Sequence, residues 1–299
     1  MIAEGTGTDL VALRVRATDL PAAERLYATV LGGVALEADE GLRRWWFPPA
    51  MVIEVAASDA QPGPRELVLA SPDLAGAAQQ LQGRGVSCVM GDEGLEIDDP
   101  RIGGGQVRVV RDDHPLATAA RCRVASPPPG GTAGVASFDH ACLGVPDVVV
   151  GPGILADGLG GNVVLGGDSP WGARALQVSF PSSKLELLSP LRPDGPVGAF
   201  LARRGGRAGV HHVTLLVDDV HVAAAACEAA GFGVVDTDTS AATWHETFVR
   251  PRAAQGLLIQ LAWTDLSYDR PLAPEVLADV LAGRYVATSH VMRHQGGST

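Results

Sequence analysis

One local pattern occurs four times along this chain of 299 residues and limits what it can fold into: an alternating apolar run, an aspartate followed by Leu or Val, then an Ala-rich stretch closed by glycine. The copies are VALRVRATDLPAAERLYATVLGG, LVLASPDLAGAAQQLQGRG, HACLGVPDVVVGPGILADGLGG and HVTLLVDDVHVAAAACEAAG. Alternation with period two predicts a strand, and the Ala-rich segments predict helices. Asp19, Asp73, Asp147 and Asp219 stand where the helices would begin. A carboxylate there accepts from orphan N–H groups and complements the helix dipole, so the expected role of these four residues is structural.

Further short apolar runs follow each helix. They are GVALEAD and RWWFPPAMVIEVAA, then VSCVMGD and GQVRVVRD, then NVVLGGD, ALQVSFP and KLELLSP, and finally GVVDTDT, HETFVRP and GLLIQLAW. Strand, helix and three strands, taken four times, predict an α+β fold of four βαβββ modules whose antiparallel strands curl around cavities, two modules to each half. The Pro- and Gly-rich stretch VASPPPGGTAGVAS divides the chain. The expected organisation is an N-terminal domain over 1–123, a linker over 124–137, a C-terminal domain over 138–266, and a short helix opened by Pro274 with a polar tail over 267–299.

Composition narrows the partners. A formal net charge of −11 disfavours nucleic acid, whose recognition needs a positive face to displace counterions. No apolar run approaches the ~20 residues of a membrane span. The four cysteines are scattered, with no CxxC pair. These features point to a cytoplasmic protein, monomeric or homodimeric, that acts on a small molecule without nucleic-acid or membrane partners. RIGGGQ, at 101–106, reads as a hairpin turn, and Ser169 has no nucleophile-elbow context.

The repeat supplies a phase test for chemistry. Seven positions before the four aspartates lie Ala12, Glu66, His140 and His212, so two imidazoles occupy equivalent places in the third and fourth modules. His211 is one residue out of phase and is expected on the opposite face. In the last strands of the same modules, Glu186 follows Asp147 by 39 residues and Gln260 follows Asp219 by 41. Polar groups inside apolar strands are costly unless paired or bound. His140, Glu186, His212 and Gln260 are therefore candidate ligands of one divalent cation (Zn, Mn, Co, Ni or Fe), with a hydrogen-bonded core cluster as the alternative. In the N-terminal half the same positions read Ala12, about Glu54, Glu66 and about Val109, which predicts no cation there. The Arg43, Arg44, Trp45, Trp46 cluster is expected to be structural or to line an interface or pocket.

FDHACLGVPDV, KLELLSPL, RAGVHHVTLLVDDV and FVRPRAAQGLLIQL together resemble the vicinal oxygen chelate (glyoxalase, bleomycin resistance, dioxygenase) superfamily, closest to its methylmalonyl-CoA epimerase branch, across Ser137 to Thr264. The resemblance implies two tandem half-barrel domains, the first degenerate, and a cation among His140, Glu186, His212 and Gln260. It also exposes a departure. The two carboxylates that move protons in the epimerases fall on Gln177 and Gln260, and an amide cannot serve as a base, so Gln177 is expected to face the substrate and hydrogen-bond it. Aligning HETFVRP with ALQVSFP from Pro251 and Pro181 matches Thr247 to Gln177 and sets His245 on the cavity face as a replacement acid or base, with Glu246 turned away. The implied activity is isomerase or lyase chemistry through a metal-polarised carbonyl or enolate. Non-catalytic binding, as in resistance proteins, and extradiol-type oxygenation remain alternatives.

Overall fold

The computed structural model describes residues 7–122, 130–134, 136–169, 172–267 and 269–285. Half of the expected linker (124–129 and 135) and the end of the polar tail (286–299) lie outside the described residues.

In the first half run β1 (Asp9–Ala17), α1 (Leu20–Glu24), β2 (Val34–Leu36), β3 (Leu42–Phe47), β4 (Met51–Ala57), β5 (Gly63–Ser71), α2 (Leu74–Gly83), β6 (Cys88–Gly91), β7 (Gly94–Ile97), β8 (Val107–Arg111) and α3 (Pro115–Ala120). The second half holds β9 (Ser137–Gly144), β10 (Asn162–Asp168), β11 (Ala173–Ser179), β12 (Lys184–Pro190), α4 (Pro196–Arg203), β13 (Gly209–Leu216), α5 (Val220–Ala229), β14 (Val234–Asp238), β15 (Trp244–Val249), β16 (Leu258–Thr264) and α6 (Pro274–Leu281). The strands form two eight-stranded sheets ordered β2-β3-β4-β1-β5-β8-β7-β6 and β10-β11-β12-β9-β13-β16-β15-β14. The second order repeats the first with every index raised by eight, so the chain is a tandem duplication of one α+β sheet.

Each repeat aspartate caps the start of its helical segment. Asp19 accepts from Ala22 N at 2.8 Å, Asp73 from Gly76 N at 2.8 Å, Asp147 from Val149 N at 3.0 Å, and Asp219 from both His221 N and Val222 N. The third copy departs from a regular helix: a 3-10 turn at Val148–Val150 gives way to a π-helical turn at Pro152–Ala156. Pro152 has no N–H to continue the ladder, and the glycines beside it favour other conformations. One strand escaped the sequence reading. β7 closes a tight hairpin with β6, and its first residue, Gly94, has φ +125° and would drive a Cβ to 2.4 Å from the Val109 carbonyl oxygen. A four-residue strand opened by glycine carries too little alternation to be seen.

The two halves share one apolar core, and direct bonds cross between them: Val210 N donates to Gln106 Oε1 at 3.1 Å, and Leu10 N to Ser183 Oγ at 3.0 Å. They differ in what covers the second face of each sheet. In the first sheet Val11, Ala12, Val52, Val68, Ala70 and Val110 pack against Trp46 and against Leu116, Ala117 and Ala120 of α3. Trp46 Nε1 donates to Ala120 O at 2.9 Å, which seals the layer. Trp45, on the opposite face, stacks on Tyr27 with centroids 5.3 Å apart. In the second sheet α4 covers only one end of the corresponding face, where Val197 and Leu201 pack with Ala173, Leu188 and Phe200, and a cavity occupies the remainder.

Candidate metal centre and cavity

Strand register places the polar residues of the second sheet in two neighbouring rungs. β11–β12 pairs Gln177 with Glu186, β12–β9 pairs Glu186 with Cys142, and β9–β13 pairs Cys142 with His212. One step away, His140 pairs with Thr214, Thr214 with Gln260, and Gln260 with Phe248. His140 and Cys142 are two apart on β9 and share a face, as do His212 and Thr214 on β13. The four expected residues therefore converge from four adjacent strands.

The convergence is close. His140 Nε2 lies 3.5 Å and His212 Nε2 3.7 Å from Glu186 Oε2, and the two rings stand edge to face with centroids 5.7 Å apart. One donor atom from each of the three residues falls within a mutual 4.8 Å. Two imidazoles and a carboxylate at this spacing fit a divalent cation at bond lengths of ~2.0–2.2 Å after small rotamer adjustments. Gln260 holds the fourth side: Thr214 Oγ1 donates to its Oε1 at 2.5 Å and lies 2.9 Å from His140 Nε2.

Behind the cluster, His140 Nδ1 is 2.7 Å from Asp139 Oδ2, and Lys184 Nζ is 2.8 Å from Asp139 Oδ1. A buried carboxylate that orients an imidazole through its other ring nitrogen is the usual support for a ligating histidine. Burial favours a neutral Asp139, but His140 and Lys184 outweigh it and hold its carboxyl at about 2. For His140 burial acts downward, and Glu186 and Asp139 overcome it, raising the imidazole to about 9. His212 moves the other way, well below its ordinary value, through burial beside His211 and His140.

His211 does not point to the opposite face. The β9–β13 register slips between Val210 and His212, making His211 the extra residue of a bulge that turns its ring inward, with Nδ1 2.9 Å from His212 Nδ1. Bulges re-aim side chains next to sites in this way.

The cluster forms the floor of a cavity of about 550 Å³. Its walls are largely apolar, including Leu165, Ala175, Leu188, Val197, Phe248 and Leu258. Gln177 lines it and is buried, with its Oε1 left without a hydrogen-bond partner. Among the described residues the lining includes Glu186, Asp236, Asp238 and Glu246 but no lysine or arginine.

His245 is not in this cavity. Phe248, not Thr247, occupies the place opposite Gln260 that Gln177 holds opposite Glu186, so the proline-based alignment of β11 with β15 was one residue off. A slip of one inverts every side chain of a strand. His245 stacks on Trp263, centroids 4.8 Å apart, and lines a separate surface hollow with Asp218 and His221. Glu246 faces the cavity instead. It is 3% exposed, and its Oε2 accepts from Gln260 Nε2 at 2.6 Å and Trp244 Nε1 at 2.7 Å. Burial raises its carboxyl to about 7 against the pull of those two donors. Glu246 sits between His245 and Thr247, so the criterion that singled out Glu186, a polar residue between two apolar ones, could not find it.

The first sheet shows what became of the duplicate. Arg14 pairs with Glu54 on β4 and Glu66 on β5, as Cys142 pairs with Glu186 and His212. Its guanidinium lies 3.0 Å from each carboxylate, and Arg44 and Arg108 complete the set. Arg108, paired with Val68, occupies the fourth position rather than Val109. In the first sheet, protein cations thus fill the place that corresponds to the candidate cation position of the second.

Residues 139–248 match the family model of the glyoxalase/bleomycin resistance protein/dioxygenase superfamily. The ethylmalonyl-CoA/methylmalonyl-CoA epimerase of Cereibacter sphaeroides is 27% identical over 131 residues, covering 42% of this chain and 97% of that protein. Over nearly the whole chain the fold matches the 2,3-dioxygenase LapB of Pseudomonas sp. KL28, with a TM-score of 0.62 at 17% identity over 89% of this chain and 97% of that one. It also matches a mutant of 4-hydroxymandelate synthase from Streptomyces coelicolor, with a TM-score of 0.57 at 14% identity over 93% and 98%. At these identities the two solved structures establish a shared tandem fold.

Proposed function

From the match of residues 139–248 to the glyoxalase/bleomycin resistance protein/dioxygenase family model, we propose that this chain is a divalent-metal enzyme that moves a proton next to a carbonyl group of a small, largely apolar substrate, as an isomerase or lyase. The observation that carries this reading is the approach of His140 and His212 to Glu186, at 3.5 and 3.7 Å, in a cavity that also presents the Glu246 carboxyl. A divalent cation held by His140, Glu186 and His212, with Gln260 beside it, would polarise the substrate oxygen and acidify the adjacent C–H.

The remaining work falls to the chain's own groups. Glu246, with a carboxyl near 7, can both accept and return a proton at neutral pH, the property a general acid or base requires. Gln260 and Trp244 hold its Oε2 in place, so the carboxylate does not have to be ordered on binding. Gln177 offers its unbonded Oε1 to a substrate hydroxyl or N–H. The apolar walls exclude water from the reacting carbon. Acidic lining without lysine or arginine disfavours a substrate bearing several negative charges inside the cavity.

The test is solvent exchange. The metal-loaded protein, incubated in deuterium oxide with a panel of small ketones and α-keto or β-keto acids, is expected to incorporate deuterium at the carbon next to the carbonyl, and Glu246→Gln is expected not to. Ligand binding without exchange in any panel member would favour a binding role instead.

The donor set favours one second reading. Two imidazoles and one carboxylate with open positions is the composition that serves iron(II) in non-haem oxygenases. Oxygen uptake by iron(II)-loaded protein in the presence of catechols, lost in Glu186→Ala, would establish it.

A further inference from the structure

The Nε2 edge of His212 faces Glu186, and its Nδ1 edge faces a different group of donors. Cys142 Sγ, His211 and His212 each offer an atom within a mutual 4.8 Å, a second cluster beside the first. Cys142 is fully buried, at the centre of the rung that joins Glu186 to His212. His211 is carried to it by the bulge in β13, and Phe200 of α4 holds the ring from the outside, edge to face at 4.9 Å. The two Nδ1 atoms are 2.9 Å apart. Donors bound at ~2.0–2.1 Å to one ion lie about 3.0–3.4 Å from each other, so this pair is within a few tenths of an ångström of a ligating arrangement.

We propose that Cys142, His211 and His212 form a second cation position, specific for a soft or borderline ion such as zinc, cobalt or copper, and that the His212 ring bridges it to the His140–Glu186 position. A thiolate with imidazole nitrogens selects such ions, whereas magnesium, calcium and manganese prefer oxygen. His211 lines the cavity, which gives an ion a route in. The N-terminal duplicate supports the location: in its rung the residue matching Cys142 is Arg14, so both copies place a cation-related group at the centre of this strand. The inference rests on the proposed function only in assigning His212 Nε2 to the first ion.

Cobalt(II) titration of the chelator-stripped full chain, followed by absorbance and by equilibrium dialysis, tests it. The expected result is two equivalents bound, with a near-ultraviolet sulfur-to-cobalt charge-transfer band. Cys142→Ala and His211→Ala should each lose the band and one equivalent, while His140→Ala should keep the band and lose the other equivalent. A single equivalent without the band in the wild type, or two equivalents that survive Cys142→Ala without a change in the band, overturns the proposal. Circular dichroism of each variant separates loss of a ligand from loss of fold. Failure of the first site would show differently, as unchanged binding in His140→Ala.

Discussion

Glu246 Oε2 accepts a hydrogen bond from Gln260 Nε2 at 2.6 Å, and this contact joins a cavity carboxyl raised to about 7 to the fourth side of the candidate metal centre. Gln260 reaches Thr214 through its oxygen, and Thr214 reaches His140, so a chain of polar contacts runs from Glu246 to the imidazole. An amide stands where the epimerase resemblance implies a carboxylate, and the carboxylate stands on the neighbouring strand.

Replacing Glu246 by glutamine should lower the exchange rate by about 10²- to 10⁴-fold, the usual worth of a positioned acid–base group, while leaving metal content unchanged. Deuterium incorporation and metal analysis of the same preparation measure both quantities. Metal loss together with activity loss would move Glu246 from proton transfer to a supporting role.

The sequence made the architecture legible because duplication multiplies a weak signal. One alternating run with an aspartate after it means little, but four in order define modules, and the four caps sit where that pattern sets them. The four inward positions were legible for the same reason. What failed was local. The bulge at His211 and the one-residue offset of β15 each invert facing, and neither changes hydrophobic alternation enough to be read from residues. Arg14 was missed because its partners come from strands 40 and 52 residues further on, a pairing that only register reveals.

Asp139→Asn should weaken metal affinity by about 10- to 100-fold, because His140 would lose the carboxylate that fixes its ring. Competition against a chromophoric chelator reads this directly. Lys184→Met should have a smaller effect in the same direction, since it removes a partner of Asp139 and leaves the Asp139–His140 contact in place.

Arg14→Met should destabilise the chain by about 3 kcal/mol, because it removes the counter-charge that two buried glutamates share. Thermal melts check the loss. Metal content should not change, since the affected site lies in the first sheet. Arg14→Lys should recover only part of the stability, because an ammonium cannot span Glu54 and Glu66 as a planar fork does.

Asp9 is buried where the halves meet and accepts a hydrogen bond from Ser183. Burial raises its carboxyl above the ordinary value despite bonds from Ser183 and Ser182. A carboxyl whose folded value is raised favours the native state when protonated, so its contribution declines as pH climbs through the unfolded value of ~3.9 toward the folded one. Asp9→Asn should therefore raise the melting temperature near neutral pH and change it little at about pH 3. A gain that is equal at both pH values would contradict the assigned cause.

The central claim is that His140, Glu186 and His212 hold one cation from three strands of the second sheet, and metal analysis of the purified chain and of His140→Ala tests it most directly. The account predicts at least one divalent ion per wild-type chain, and loss of one equivalent in the variant with the fold retained by circular dichroism. Equal metal content in the two proteins, or none in either after loading with zinc, cobalt, manganese, nickel and iron(II) in turn, would contradict it.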